Sequence, residues 1–167
     1  GIIEPLSPMQ LNERLLNMQE RYAPEALAAM MNLLDSHDTN RALFMLDPNT
    51  YLNDSSIYQN ANYNWSNAIS RLRGAVLLQM TLPGAPTIYY GDEVGLVGPV
   101  TFDTEANTWQ DDPYNRIPYP WLDQSGTPFY LHLQTQVSQN SLLSYYTLLT
   151  STRNTHPALR TGSFDPL

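Results

Sequence analysis

Cysteine is absent from the 167 residues, and so is lysine. Without cysteine the chain forms no disulfide and no thiolate metal site. Without lysine, its basic side chains are 8 arginines set against 16 aspartates and glutamates, a formal net charge of −8. Phosphate-backbone binding needs clustered basic residues, so nucleic acid is excluded as a partner. No apolar run approaches the roughly 18–20 residues of a membrane span, so no membrane partner is expected. Gly1-Ile2-Ile3-Glu4-Pro5 has neither the basic nor the long apolar region of a signal peptide. Three histidines without a cysteine make no metal-ligand cluster. Neither a Gly-rich phosphate loop nor a Gly-x-Ser-x-Gly elbow occurs.

What is present is a chain with 42% hydrophobic and 14% charged residues, whose polar surface is mostly Asn, Gln, Ser, Thr and Tyr. Its length suits one domain with a substantial core, and no internal repeat or second domain is visible. Ser7-Pro8-Met9-Gln10 has the spacing of a capping box with proline at the first helical position. Leu11, Leu15, Met18 and Tyr22 then mark one buried helix face. Pro24 closes that helix or starts a short new turn. The apolar run from Ala28 to Leu34 predicts a buried strand at about 31–35. A polar, Asn-rich stretch over 47–64 is too long for a simple connector.

A second helix is predicted over 66–81, with Ile69, Leu72, Val76, Leu77 and Met80 as its stripe and Pro83-Gly84 as its end. The aromatic and β-branched run at 87–90 predicts a second strand. Residues 91–138 show no sustained period and read as a long irregular loop. A last helix, about 141–155, carries Leu142, Tyr145, Tyr146, Leu149 and Arg153. Helices alternating with strands imply an α/β fold with parallel strands under helices. Two strands leave two open edges, and three helices leave apolar faces uncovered. Either the rest of a barrel or another copy of the chain must cover them, so a homo-oligomer is expected.

Three segments carry the chemistry. Leu33-Leu34-Asp35-Ser36-His37-Asp38-Thr39-Asn40-Arg41 delivers an adjacent imidazole and carboxylate to the C-terminal end of the first strand. Read alone, Ser36-His37-Asp38-Thr39 also suits a turn that caps a following helix. Pro83-Gly84-Ala85-Pro86-Thr87-Ile88-Tyr89-Tyr90-Gly91-Asp92-Glu93-Val94-Gly95 ends the second strand on carboxylates in the same way, and Asp92 and Glu93 suit either catalysis or a structural role in loop polarity and backbone hydrogen bonding. Asp112-Pro113-Tyr114-Asn115-Arg116-Ile117-Pro118-Tyr119-Pro120-Trp121 is the third. Its Asp–Arg pair, four residues apart, suits either ligand binding or a salt bridge that fixes the loop. Trp109, Tyr114 and Trp121 can stack on a ligand or pack in the loop. His132 lies in an apolar context and reads as a packed or surface residue.

In this order the three segments, with the tail from Tyr145 to Gly162, resemble the α-amylase family of glycoside hydrolases. The third segment looks like the loop of its neopullulanase-like and oligosaccharide-degrading members. The resemblance runs from about Ser7 to Gly162 and implies the C-terminal portion, about strands 7 and 8 with flanking helices, of a (β/α)8 TIM barrel. A complete barrel takes about 250 residues, so residues 1–167 are expected to be one fragment of a catalytic barrel domain, its N-terminal part missing.

That resemblance also implies roles for individual residues. The family's third carboxylate, which holds the sugar's secondary hydroxyls and supports the transition state, matches Asp38. His37 matches a hydrogen-bonding partner of the same sugar, and Asp112 and Arg116 match residues that reach sugar hydroxyls at a donor-side subsite. The segments carrying the family's nucleophile and acid/base do not occur here. The resemblance therefore implies part of a retaining α-glucan hydrolase acting on α-1,4 and, as a further expectation, α-1,6 bonds, with an α-glucan or maltooligosaccharide as substrate. The chain alone is expected to be inactive and to need no cofactor. Structural calcium in the parent would lie on segments preceding these. Two alternatives stand beside this: a related transglycosidase, and a non-catalytic barrel relative such as a transporter-associated heavy chain.

Overall fold

The computed structural model describes residues 6–49, 62–97, 101–103, 105–110, 114–127 and 141–164. Helix α1 (Pro8–Arg21) starts at the predicted capping box. The Ser7 hydroxyl accepts from the Gln10 amide at 3.2 Å, and the Gln10 side chain accepts from the Ser7 amide at 2.8 Å. Pro24 opens a separate helix, α2 (Pro24–Ala29). The face expected to be buried on α1 is not: Leu11 and Leu15 are half-buried, while Met18 and Tyr22 are exposed. Helical spacing makes a face apolar, but burial needs a neighbour. Helix α1 packs chiefly on the short α2, and Gln19 donates to the Phe164 carbonyl.

Strand β1 (Met31–Leu33) pairs in parallel with β2 (Ala85–Thr87), Met31 opposite Ala85 and Leu33 opposite Thr87. Both strands are shorter than predicted, and β2 starts earlier. Side chains take over part of the pairing. The Gln79 side-chain amide donates to the carbonyls of Asn32 (2.8 Å) and Thr87 (2.9 Å), stitching across both strands. Asn32 donates in turn to the Pro83 carbonyl at 2.9 Å. Gly84 sits at φ +116°, where a Cβ would lie 2.6 Å from the Met30 carbonyl, so only glycine fits. The strand predicted as buried at about 31–35 is open instead: Met31 and Leu33 are exposed. A two-stranded sheet among the described residues has no second layer over that face.

The core lies on the other side, between α3 (Ala42–Met45), α4 (Ser66–Thr81) and α5 (Ser141–Thr155). Leu72 and Val76 are wholly buried against Leu43, Phe44, Trp65 and Leu142. On α4 the stripe runs through Ala68, Leu72, Val76, Gln79 and Met80, and Leu77 faces out. Gln79 holds a core position because its amide nitrogen donates to both strand carbonyls. On α5, Leu142, Tyr146 and Arg153 are buried and Tyr145 and Leu149 half-buried, as their spacing predicts. Arg153 reaches across to the Met80, Leu82 and Gly84 carbonyls at 2.6, 3.2 and 2.7 Å and closes the end of α4.

Short regular elements break the long stretch predicted to be irregular, among them the 3-10 turn Tyr114–Arg116. An antiparallel hairpin, β3 (Thr101–Asp103) with β4 (Thr108–Gln110), turns through Asn107 at φ +50°. A 3-10 turn, Asp92–Val94, lies between left-handed Gly91 and Gly95. Helix α6 (Ala158–Thr161) ends the described elements. Residues 50–61 of the Asn-rich stretch, and His132, lie outside the described residues.

Candidate active site

Three residues separate β1 from His37, so the His37–Asp38 pair stands just past the strand's C-terminal end. The turn that carries it is locally wired. Ser36 N donates to Thr39 Oγ1 (2.9 Å), Asp38 N to Ser36 Oγ (3.2 Å), and Thr39 N to the Ser36 carbonyl (3.2 Å). Its side chains face out, His37 60% and Asp38 72% exposed. His37 Nε2 lies 3.2 Å from Asp38 Oδ1. Arg116 Nη2, on a loop that follows the hairpin, lies 3.8 Å from the same oxygen and is 48% exposed.

That loop is pinned at several points. Tyr90 Oη donates to the Ile117 carbonyl at 2.8 Å, and Tyr89 Oη to the Asn115 carbonyl at 3.4 Å. Burial, with the neighbouring Glu93 carboxylate, pushes the Tyr119 hydroxyl up to about 12. Glu93 also accepts from the Gly91 amide at 2.9 Å. Asn115 is 2% exposed, and its side-chain amide donates to the His37 carbonyl and, at 3.3 Å, to the Thr39 carbonyl. Two carbonyl acceptors fix which end of that amide is nitrogen.

Beneath the turn lies a buried charged layer. Asp35 Oδ2 accepts from the Ala42 amide at 2.8 Å and caps α3, so the helix-capping carboxylate here is Asp35 and not Asp38. The Arg41 guanidinium lies over the Tyr89 and Tyr90 rings, 4.3 and 4.5 Å from their centroids. It also donates to the Tyr90 carbonyl and stands 3.9 Å from Asp92. Burial raises the Asp35 carboxyl above its ordinary value. Burial first, then the neighbouring Asp35 carboxylate, pushes Asp92 up to about 9. Two carboxyls and one guanidinium in a dry layer favour one retained proton. Asp92 and Glu93 are thus engaged in internal contacts.

Of the predicted site residues, the structure brings together His37, Asp38 and Arg116. Asp112 lies outside the described residues, as do the side chains of Trp109 and Tyr114. Trp121 is exposed, its ring 4.6 Å from that of Tyr119. Asp35, Arg41 and Asn115 were not singled out from the sequence. Arg41 and Asp35 stand in the same segment as the His–Asp pair and Asn115 in the same segment as Arg116, but no spacing announces a contact between segments. An exposed carboxylate flanked by an imidazole and a guanidinium offers one acceptor and several donors, a set that suits a neutral polyhydroxylated ligand. Among the described residues no group of three or more His, Asp or Glu could hold a metal ion. Among them, too, no helix is long and apolar enough to cross a membrane.

Known proteins are similar to this chain over much of its length. Residues 3–162 match the family described as "Alpha amylase, catalytic domain". The chain is 31% identical over 163 residues to an amylopullulanase of Thermoanaerobacter thermohydrosulfuricus, covering 98% of this chain and 9% of that protein. It is 32% identical over 143 residues to a cyclomaltodextrinase of a Bacillus species, 86% of this chain and 18% of the relative. Over 96 residues it is 35% identical to neopullulanase 2 of Thermoactinomyces vulgaris, 57% of this chain and 13% of the relative. The chain therefore spans less than a fifth of the length of these curated relatives. No solved structure gives a significant match.

Proposed function

The chain belongs to the alpha-amylase catalytic-domain family, and on that premise we propose that it forms the C-terminal portion of a (β/α)8 barrel in a retaining α-glucan hydrolase. In this reading β1 and β2 are the seventh and eighth barrel strands, and residues 1–167 constitute no second domain. The substrate is an α-glucan or maltooligosaccharide joined by α-1,4 and also α-1,6 bonds. The relatives named amylopullulanase, cyclomaltodextrinase and neopullulanase support that class.

Asp38 accepts hydrogen bonds from the secondary hydroxyls of the sugar at the cleavage point. Those bonds strengthen as the ring takes on oxocarbenium character, which is how a carboxylate that does not attack still lowers the barrier. His37 donates to the same sugar, and Arg116 with Asp112 holds the next sugar on the donor side. The nucleophile and the acid/base come from segments outside this chain, and structural calcium is likewise assigned to them. The chain alone is inactive, because its positioning residues then have no reacting groups to position.

The single observation that carries this reading is the exposed Asp38 carboxylate, set between His37 and Arg116 just beyond a strand in parallel pairing. In the full-length polypeptide Asp38→Asn is expected to cost several orders of magnitude in kcat on maltooligosaccharides while the melting temperature holds. A loss below about tenfold, worth about 1.4 kcal/mol of barrier, removes Asp38 from that role. Turnover by residues 1–167 alone that persists in Asp38→Ala after repurification overturns the division of labour.

A further inference from the structure

We propose that Asn115 is the positioning residue of Asp38, and that it ties the carboxylate to the donor-side loop. The inference rests on the catalytic reading of Asp38 given above. Asn115 is 2% exposed, although its neighbour Arg116 is half in solvent. Its one side-chain amide donates to the carbonyls of both His37 and Thr39, the residues on either side of Asp38. The three residues of the turn are thereby bracketed from below by a single group. Asp38 itself is on the outer side, with 72% of its side chain exposed, so no packing holds that side chain. The bracket supplies what packing does not.

The geometry also couples two parts of the site. Asn115 and Arg116 are adjacent on the 3-10 turn Tyr114–Arg116. Asn115 fixes the backbone around Asp38 while Arg116 lies 3.8 Å from its carboxylate. The loop is anchored in turn by Tyr89 and Tyr90, whose hydroxyls reach the Asn115 and Ile117 carbonyls. A sugar that engages Arg116 therefore meets a loop whose position is transmitted to Asp38 through one buried amide. Replacing that amide leaves the chemistry of Asp38 intact but relaxes its placement, and misplacement of about 1 Å in a catalytic group costs on the order of a hundredfold.

The test is a double-mutant cycle in the full-length polypeptide, read with an aryl α-maltooligosaccharide whose good leaving group keeps slow variants measurable. Asn115→Ala is expected to lower kcat about tenfold to a hundredfold with KM changed less than about threefold. Added to Asp38→Asn it is expected to change the remaining rate by less than about twofold, because its effect passes through the carboxylate already removed. Asn115→Leu, of similar size but without the donor, should behave as Asn115→Ala does. An Asn115→Ala variant with wild-type kcat overturns the proposal, and so does an equal loss in both backgrounds. Loss of the folded state in both Asn115 variants overturns it too, since the amide would then hold the fold and not the carboxylate. Wild-type kcat in Asp38→Asn would sink the catalytic reading itself, a result distinct from additivity in the cycle.

Discussion

Arg41 Nη1 and Asp92 Oδ1 lie 3.9 Å apart with their side chains 0% and 3% exposed, a polar contact closed off from solvent. Asp35 is buried beside them. One guanidinium faces two carboxyls, and desolvation decides that the second negative charge is not kept.

Asp92 gives stability a pH dependence. Its carboxyl stands at 3.8 when free and is raised to about 9 in the fold. Between those values the folded state binds the extra proton, so the stabilisation is fully present below the lower value and is lost as pH rises toward the upper one. The slope is at most about 1.4 kcal/mol per pH unit. Asp92→Asn, neutral at every pH, is expected to flatten that decline. Urea unfolding of the chain at intervals from pH 5 to 9.5 checks it. A wild-type midpoint that rises with pH over this range contradicts the retained proton.

Arg116→Ala and Asp112→Ala in the full-length polypeptide should chiefly weaken binding of longer oligosaccharides, which reach the donor-side subsite. The measurement is kcat/KM along a series of increasing chain length. Equal losses on short and long members would show that these residues do not form a subsite.

Arg153→Met should destabilise the chain by about 2–3 kcal/mol, because three carbonyls at the end of α4 lose a charged donor and stay partly buried. Chemical denaturation gives the number. A change below about 0.5 kcal/mol, the size of an ordinary surface substitution, would mean that water replaces the guanidinium without cost.

Residues 1–167 alone are expected to associate as a homodimer or larger symmetric assembly. Met31 and Leu33 on β1, and Met9, Leu16 and Met18 on α1, are exposed, and a copy of the chain is the nearest surface able to cover them. The charge of −8 opposes this weakly, being screened beyond about 8 Å at physiological salt. Sedimentation equilibrium over a wide concentration range decides it, and a folded monomer throughout would refute it.

Much of the architecture was legible in the amino-acid order because it is locally encoded. The Ser7–Gln10 box set the start of α1, and the helix predicted over 66–81 is α4 to the residue. The helix predicted over 141–155 is α5, with its buried face as expected. These features depend on neighbours three or four positions away, so the order of residues is enough to specify them. The His–Asp pair was legible as a motif for the same reason.

Where apolar faces and polar side chains end up is a matter of packing. Periodicity made α1 amphipathic, but only a neighbouring surface can bury a face, and here the face is open. Leu77 yielded its place on α4 to Gln79 because two strand carbonyls, from residues 47 and 8 positions away, needed a donor. Arg41 became a buried cation because Tyr89, Tyr90 and Asp92 converge on it from a segment some fifty positions on. Asn115 reaches the turn of Asp38 across 78 positions. Such contacts carry no local signature, since their energy comes from desolvated groups that meet only once the chain is folded.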